Sequence, residues 1–169
     1  MIKREGRLDK MKVKYMIILL IVFFVSDALA IEGKTFGIGV IAGQPTGITG
    51  KYMIDNISAI DVGAGWETSG DNEFHIYGDY LYHVYGLFGL YDLFAVKKEN
   101  LPFYFGGGVR YIRLENEKDK FGIRIPVGLE YLFSNVPLGA FIEVVPVMNL
   151  SPDTEFDDLE GGIGIRFFF

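Results

Sequence analysis

Twelve residues have side chains suited to proton transfer, ion passage or metal binding. They are the cations Lys51, Arg110, Arg124 and Arg166, the carboxylates Asp61, Glu73, Asp79, Glu130, Glu143 and Glu160, and the histidines His75 and His83. His75, Asp79 and His83 recur at every fourth position. On an extended strand that spacing puts neighbours about 13 Å apart, too far to share one metal without a cross-strand partner. A serine nucleophile beside a histidine would suit a lipid hydrolase or acyltransferase, and Ser69 and Ser151 are the candidates, although no surrounding motif supports a triad. Asp153, Glu155, Asp157 and Asp158 could hold a divalent cation among lipid phosphates, but the segment lacks the sixth-position glycine of an EF-hand and reads more simply as a solvated acidic loop. Gly37, Gly39 and Gly43 miss the dinucleotide spacing by one residue, and no βαβ unit follows. With no cysteine, thiol catalysis and zinc fingers are excluded, and no cofactor is implied.

The elements that must position these groups alternate apolar and polar residues with period two, the pattern of β-strands. Eight strands are expected: Thr35–Gly43, Gly47–Ile54, Ile57–Trp66, Glu73–Val84, Leu101–Arg113, Phe121–Phe133, Leu138–Leu150 and Leu159–Phe169. Asp55-Asn56 and Ser134-Asn135-Val136-Pro137 read as tight turns, whereas Glu67–Asn72, Leu114–Lys120 and Ser151–Asp158 are longer and rich in acids. Short turns at one end and long ones at the other are the habit of outer-membrane barrels. Gln44-Pro45-Thr46 is short for its end, and Tyr85–Asn100 is long for its own, either extending the fourth strand or forming a small interfacial element.

The sixth strand decides which side of the barrel meets lipid. Phe121, Ile123, Ile125, Val127, Leu129, Tyr131 and Phe133 form an apolar row, opposed by Gly122, Arg124, Pro126, Gly128 and Glu130. Facing water, such a row would be an aggregation site. Facing lipid, it leaves the charges and glycines to a narrow interior, where buried charges persist by pairing. Arg110, Arg124 and Arg166 are therefore expected to pair with Glu130, Glu143 and Glu160 across neighbouring strands, with glycines such as Gly37, Gly39, Gly63, Gly65, Gly106 and Gly108 making room for the long side chains. Outward aromatics fall into two groups, one of Tyr80, Tyr82, Phe103, Phe105, Tyr131, Phe133, Phe167 and Phe169, the other of Trp66, Phe74, Tyr111 and Phe121, as two water–lipid interfaces would select.

The first 30 residues read as a cleaved secretory signal. Lys12 and Lys14 precede the apolar run Tyr15 to Val25, and Ala28-Leu29-Ala30 makes a small-x-small cleavage box, with Met11 a possible true start. A run of about eleven residues spans only about 16 Å as helix, half a hydrocarbon core. Residues 31–169 then form one barrel domain, an all-β, eight-stranded antiparallel transmembrane barrel. Six of the 16 basic residues and three of the 22 acids lie in the leader, so residues 31–169 carry ten basic against nineteen acidic residues, a net charge of −9. That balance argues against a nucleic-acid partner.

The C-terminal Gly161-Gly162-Ile163-Gly164-Ile165-Arg166-Phe167-Phe168-Phe169, with Ile163, Ile165, Phe167 and Phe169 alternating to a terminal aromatic, resembles the signal that the outer-membrane barrel assembly machinery reads. The chain as a whole resembles the small OmpA/OmpX-type barrels. It is similar, more closely, to a family sharing Gly39-Val40, Gly43-Gln44-Pro45-Thr46-Gly47, Gly50-Lys51-Tyr52, Asp79-Tyr80, Leu101-Pro102 and the run Phe121 to Tyr131. These resemblances imply a fold and an outer-membrane location in a Gram-negative-type bacterium, and no chemistry. They also imply membrane lipid and lipopolysaccharide as surroundings, the assembly machinery as a partner during biogenesis, and a monomer. The peptidoglycan-binding domain of OmpA is expected to be absent. The expected role is structural or surface-interacting, with a narrow channel and a lipid-modifying enzyme as rivals.

Overall fold

The computed structural model describes residues 35–67, 73–114, 118–152 and 154–169. The expected leader, Ser69 and Asp153 lie outside the described residues. Alternation does produce strands, in the order β1 (Phe36–Gln44), β2 (Thr46–Met53), β3 (Ser58–Glu67), β4 (Glu73–Tyr85), β5 (Pro102–Arg113), β6 (Lys120–Arg124), β7 (Val127–Leu132), β8 (Leu138–Ser151) and β9 (Glu155–Phe168). Every pairing is antiparallel, and β1 pairs with β9 through Gly37↔Phe168 to Gln44↔Gly161, so the sheet closes on itself. Closure leaves no edge, which is how a sheet with an apolar outer face avoids edge-to-edge pairing. β6 and β7 together fill one place between β5 and β8, giving eight staves.

The expected continuous sixth strand, Phe121–Phe133, is thus broken at Ile125-Pro126, and the cause is two prolines. The amide of Gly106 donates to the carbonyl of Pro126 at 2.9 Å, but Pro126 has no N–H to return to Gly106. On the other flank the amide of Ile125 donates to the carbonyl of Pro146 at 3.0 Å, and Pro146 likewise has nothing to return. One strand loses a ladder bond on each side at adjacent residues.

Two connectors also differ from expectation. Residues 155–158 belong to β9, which pairs Asn149↔Glu155 and Val147↔Asp158, so the supposed acidic loop is mostly strand and only 152–154 separate β8 from β9. Strand pairing at this end outlasts the apolar pattern from which the boundary was read. Tyr85–Asn100 does not extend β4 as strand beyond Tyr85. It folds as short 3-10 turns, Leu87–Gly89 and Lys98–Asn100, around a one-turn helix Leu90–Leu93. Its ends are tied to adjacent turns, the Tyr85 hydroxyl to the Asn56 carbonyl at 3.0 Å and the Asn100 amide to the Ser134 hydroxyl. Gln44-Pro45-Thr46 stays tight, with the Thr46 hydroxyl donating to the Gly43 carbonyl at 2.9 Å. The ring thus has a near end, where β1 starts and β9 finishes, and a far end, where β3 meets β4 and β5 meets β6.

The packing is inverted relative to a protein folded in water. Large apolar side chains line the outside of the ring, among them Ile38, Val40, Ile48, Ile60, Val62, Val109, Ile142, Val144, Ile163 and Ile165. Tyr52, Tyr80, Tyr82 and Phe105 gather outside toward the near end, and Trp66, Phe74, Tyr111 and Phe121 toward the far end. The inside holds nine buried charged side chains, four basic and five acidic.

Candidate functional site

Parity places the lumen residues. On β4, His75, Tyr77, Asp79, Leu81 and His83 are buried while Phe74, Ile76, Tyr80 and Tyr82 are exposed, so a single strand delivers two histidines and a carboxylate to the interior. The same alternation buries Lys51, Asp61, Arg110, Arg124, Glu130, Glu143, Glu160 and Arg166. Glu73 differs. It is half-buried at the end of β4 and paired in register with Glu67.

Inside, charges pair mainly across the lumen, contrary to the expected pairing of neighbouring strands. Arg166 on β9 donates from Nη2 to Asp61 on β3 at 2.5 Å and to the Thr49 hydroxyl on β2 at 2.9 Å, and from Nη1 to Glu130 on β7 at 3.3 Å. Lys51 Nζ donates to the other Glu130 oxygen at 2.7 Å and lies 3.1 Å from His83 Nε2. A second group surrounds Arg124, with Asp79 at 3.1 Å, Glu160 at 3.6 Å and Glu143 at 3.7 Å. Of these only Glu143 lies on a strand beside that of Arg124. Arg110 bonds Glu160 and, at 2.7 Å, Asn149, and His75 Nε2 is 3.7 Å from Glu160. An eight-stave ring is so narrow that side chains reach across it as readily as along it. His75 and His83 lie in different groups, and among the described residues no set of three or more ligand-type side chains is disposed to hold a metal.

Sequence reasoning missed the aromatic layer beneath the cations. The Arg124 guanidinium sits 3.8 Å over the Tyr77 ring, the Arg166 guanidinium 3.8 Å over Phe141, and Lys51 Nζ 4.7 Å over Tyr104. Each ring lies across a glycine directly opposite on the next strand, in the pairs Tyr77↔Gly63, Tyr104↔Gly128 and Phe141↔Gly164. A Cβ at any of those glycines would fall within the facing ring. Phe168 uses Gly37 and Gly139 in the same way. Of the six glycines expected to make room for long side chains, Gly37 and Gly63 face rings, Gly108 faces the Asp79 carboxylate, and Gly39, Gly65 and Gly106 meet mainly the backbone of the next strand. The signal was present as glycines in register with aromatics, but it requires the register to be known.

Among the described residues no helix is long and apolar enough to cross a membrane. No family model and no curated protein matches the chain. Solved structures do. The N-terminal β-barrel domain of Pseudomonas aeruginosa OprF matches with a TM-score of 0.62 at 15% identity, over 79% of this chain and 96% of that one. A de novo designed transmembrane β-barrel matches with a TM-score of 0.50 at 19% identity, over 82% and 98%. The chain is an eight-stranded transmembrane β-barrel. A third match, Neisserial surface protein A, has a TM-score of 0.44 at 11% identity, over 79% of this chain and 93% of that one. The barrel's apolar belt accordingly faces hydrocarbon, where every backbone group must find its partner within the wall.

Proposed function

We propose that the protein is a sealed outer-membrane anchor that holds the acid-rich connectors of its far end at the cell surface, with a structural or surface-interacting role. The observation that carries this reading is the filled lumen, where Lys51, Arg124 and Arg166 are at most 1% exposed and each meets carboxylates. A conducting path would need those cations hydrated. The outer-membrane location is supported by the closed barrel, its aromatic girdles and its likeness to the OprF barrel domain. On this reading the barrel is a monomer set in membrane lipid and lipopolysaccharide, assembled through the alternating signal Ile163, Ile165, Phe167 and Phe169.

A lipid-modifying enzyme has less support. His75 and His83 are both buried in the lumen, with their ring nitrogens directed at Glu160, Lys51 and the Ile57 carbonyl, while Ser151 stands exposed at the end of β8. Planar-bilayer recording of the purified, folded barrel tests the reading against a channel. The expected result is no stepwise conductance above the bare bilayer, and sustained open steps would overturn it.

A further inference from the structure

The two halves of the lumen satisfy their charges differently. Toward the near end, Lys51, Arg166, Asp61 and Glu130 are joined by direct hydrogen bonds, backed by an apolar cluster of Ala59, Leu81 and Tyr104. Around Arg124 the charges are close but several hydrogen bonds are not made, although Arg110 donates to Glu160 and the Tyr104 hydroxyl to Glu143. Arg124 Nε and Nη1, Asp79 Oδ1 and Glu160 Oε2 are buried without any hydrogen-bond partner, although the salt-bridge distances are 3.1 to 3.7 Å. Buried charged groups left in that condition are costly, and a water molecule with two to four polar partners is the ordinary remedy.

Beside them, Arg124 pairs in register with Gly108, over which the Asp79 carboxylate lies.

We propose that the far half of the lumen holds a bound water cluster centred on Arg124, bridging it to Asp79 and Glu160, while the near half is dry. The proposal rests on the sealed-lumen reading and locates the seal at the Lys51–Glu130–Arg166–Asp61 layer. It makes the far half a blind, water-filled vestibule and leaves the near half to keep the two sides of the membrane apart.

Each half contains one buried histidine, His75 in the far half and His83 in the near half, and each is 2% exposed. Millisecond X-ray hydroxyl-radical labelling of the intact barrel in lipid vesicles generates radicals from water held next to these rings. The expected result is several-fold faster oxidation of His75 than of His83. Fast labelling of both halves would overturn both the dry near half and the sealed lumen. Slow labelling of both would overturn the water cluster alone and leave the seal standing.

Discussion

Arg166 holds the near-half network together, and removing it puts the seal to a quantitative test. Its guanidinium is fully buried, and its donors reach Asp61 at 2.5 Å, Thr49 at 2.9 Å and Glu130 at 3.3 Å. Arg166→Met keeps much of the volume over Phe141 but leaves Asp61 without its cation, because the Thr49 hydroxyl is the other hydrogen-bond partner that Asp61 has. Glu130 keeps Lys51 at 2.7 Å. The loss is therefore one stranded carboxylate, on the order of 3–5 kcal/mol for breaking a buried pair. At about 1.4 kcal/mol per tenfold this is two to three and a half decades in the unfolding equilibrium. Asp61→Asn alone strands the cation less, because Arg166 retains Glu130. The double variant should cost less than the sum of the singles, with a coupling of about 1–3 kcal/mol. Urea unfolding in lipid vesicles, followed by the single tryptophan, Trp66, and by the shift between heated and unheated gel mobility, measures all three. Additive losses below about 1 kcal/mol would mean that the network is hydrated and screened, and would refute a sealed near half.

Other consequences can be measured on the same preparation. Gly63→Ala places a methyl group in the Tyr77 ring and should destabilise the fold by about 1–3 kcal/mol, with part of the loss recovered in a Gly63→Ala/Tyr77→Leu double variant; equal stability of the two variants would contradict the ring–glycine pairing. Val62→Arg, in the middle of the outward face, should cost about 2–4 kcal/mol in vesicle unfolding against about 0–1 for Trp66→Arg at the far rim, and the reverse order would misplace the belt. In the turn after β2, the Ile57 and Ser58 amides donate to Asp55, holding its carboxyl below the usual value of 3.8. A depressed folded value means that the turn's stabilisation is complete above the ordinary carboxylate range and is lost as pH falls through the folded value. Carboxyl chemical shifts in micelles should show Asp55 titrating below a free aspartate, and coincidence with a free aspartate would remove the effect.

Period-two alternation is a local property, and everything that depends on parity alone was legible in it. The sequence assigns Asp61, Asp79, Glu130 and Arg166 to the inside without knowing any neighbour, because a one-residue slip would move a whole row of side chains to the wrong solvent. Partners are a different matter. Arg166 reaches Asp61 on β3 and Glu130 on β7, strands that are not its neighbours in the ring, so its pairing is set by the diameter and stagger of the closed sheet. No strand carries that information by itself. Ring–glycine pairs stand between these two cases. Tyr77 and Gly63 become partners as soon as β3 and β4 are paired in register, and the same holds for Tyr104 with Gly128 and Phe141 with Gly164. Each pair lets a ring lie flat against the wall, and the ring's face then becomes the floor on which a guanidinium or ammonium stacks. The heights of Lys51 and Arg124 in the lumen are thus fixed by a glycine on a different strand from the cation itself, whereas Gly164, opposite Phe141, shares β9 with Arg166. That chain of dependence explains why the charged residues could be named from sequence while the direct network at one end and the unbonded group around Arg124 at the other could not. The prolines obey the same logic. Pro126 and Pro146 each read as a local interruption, yet only the register puts their missing donors on the two sides of one strand and one of the resulting gaps beside Arg124.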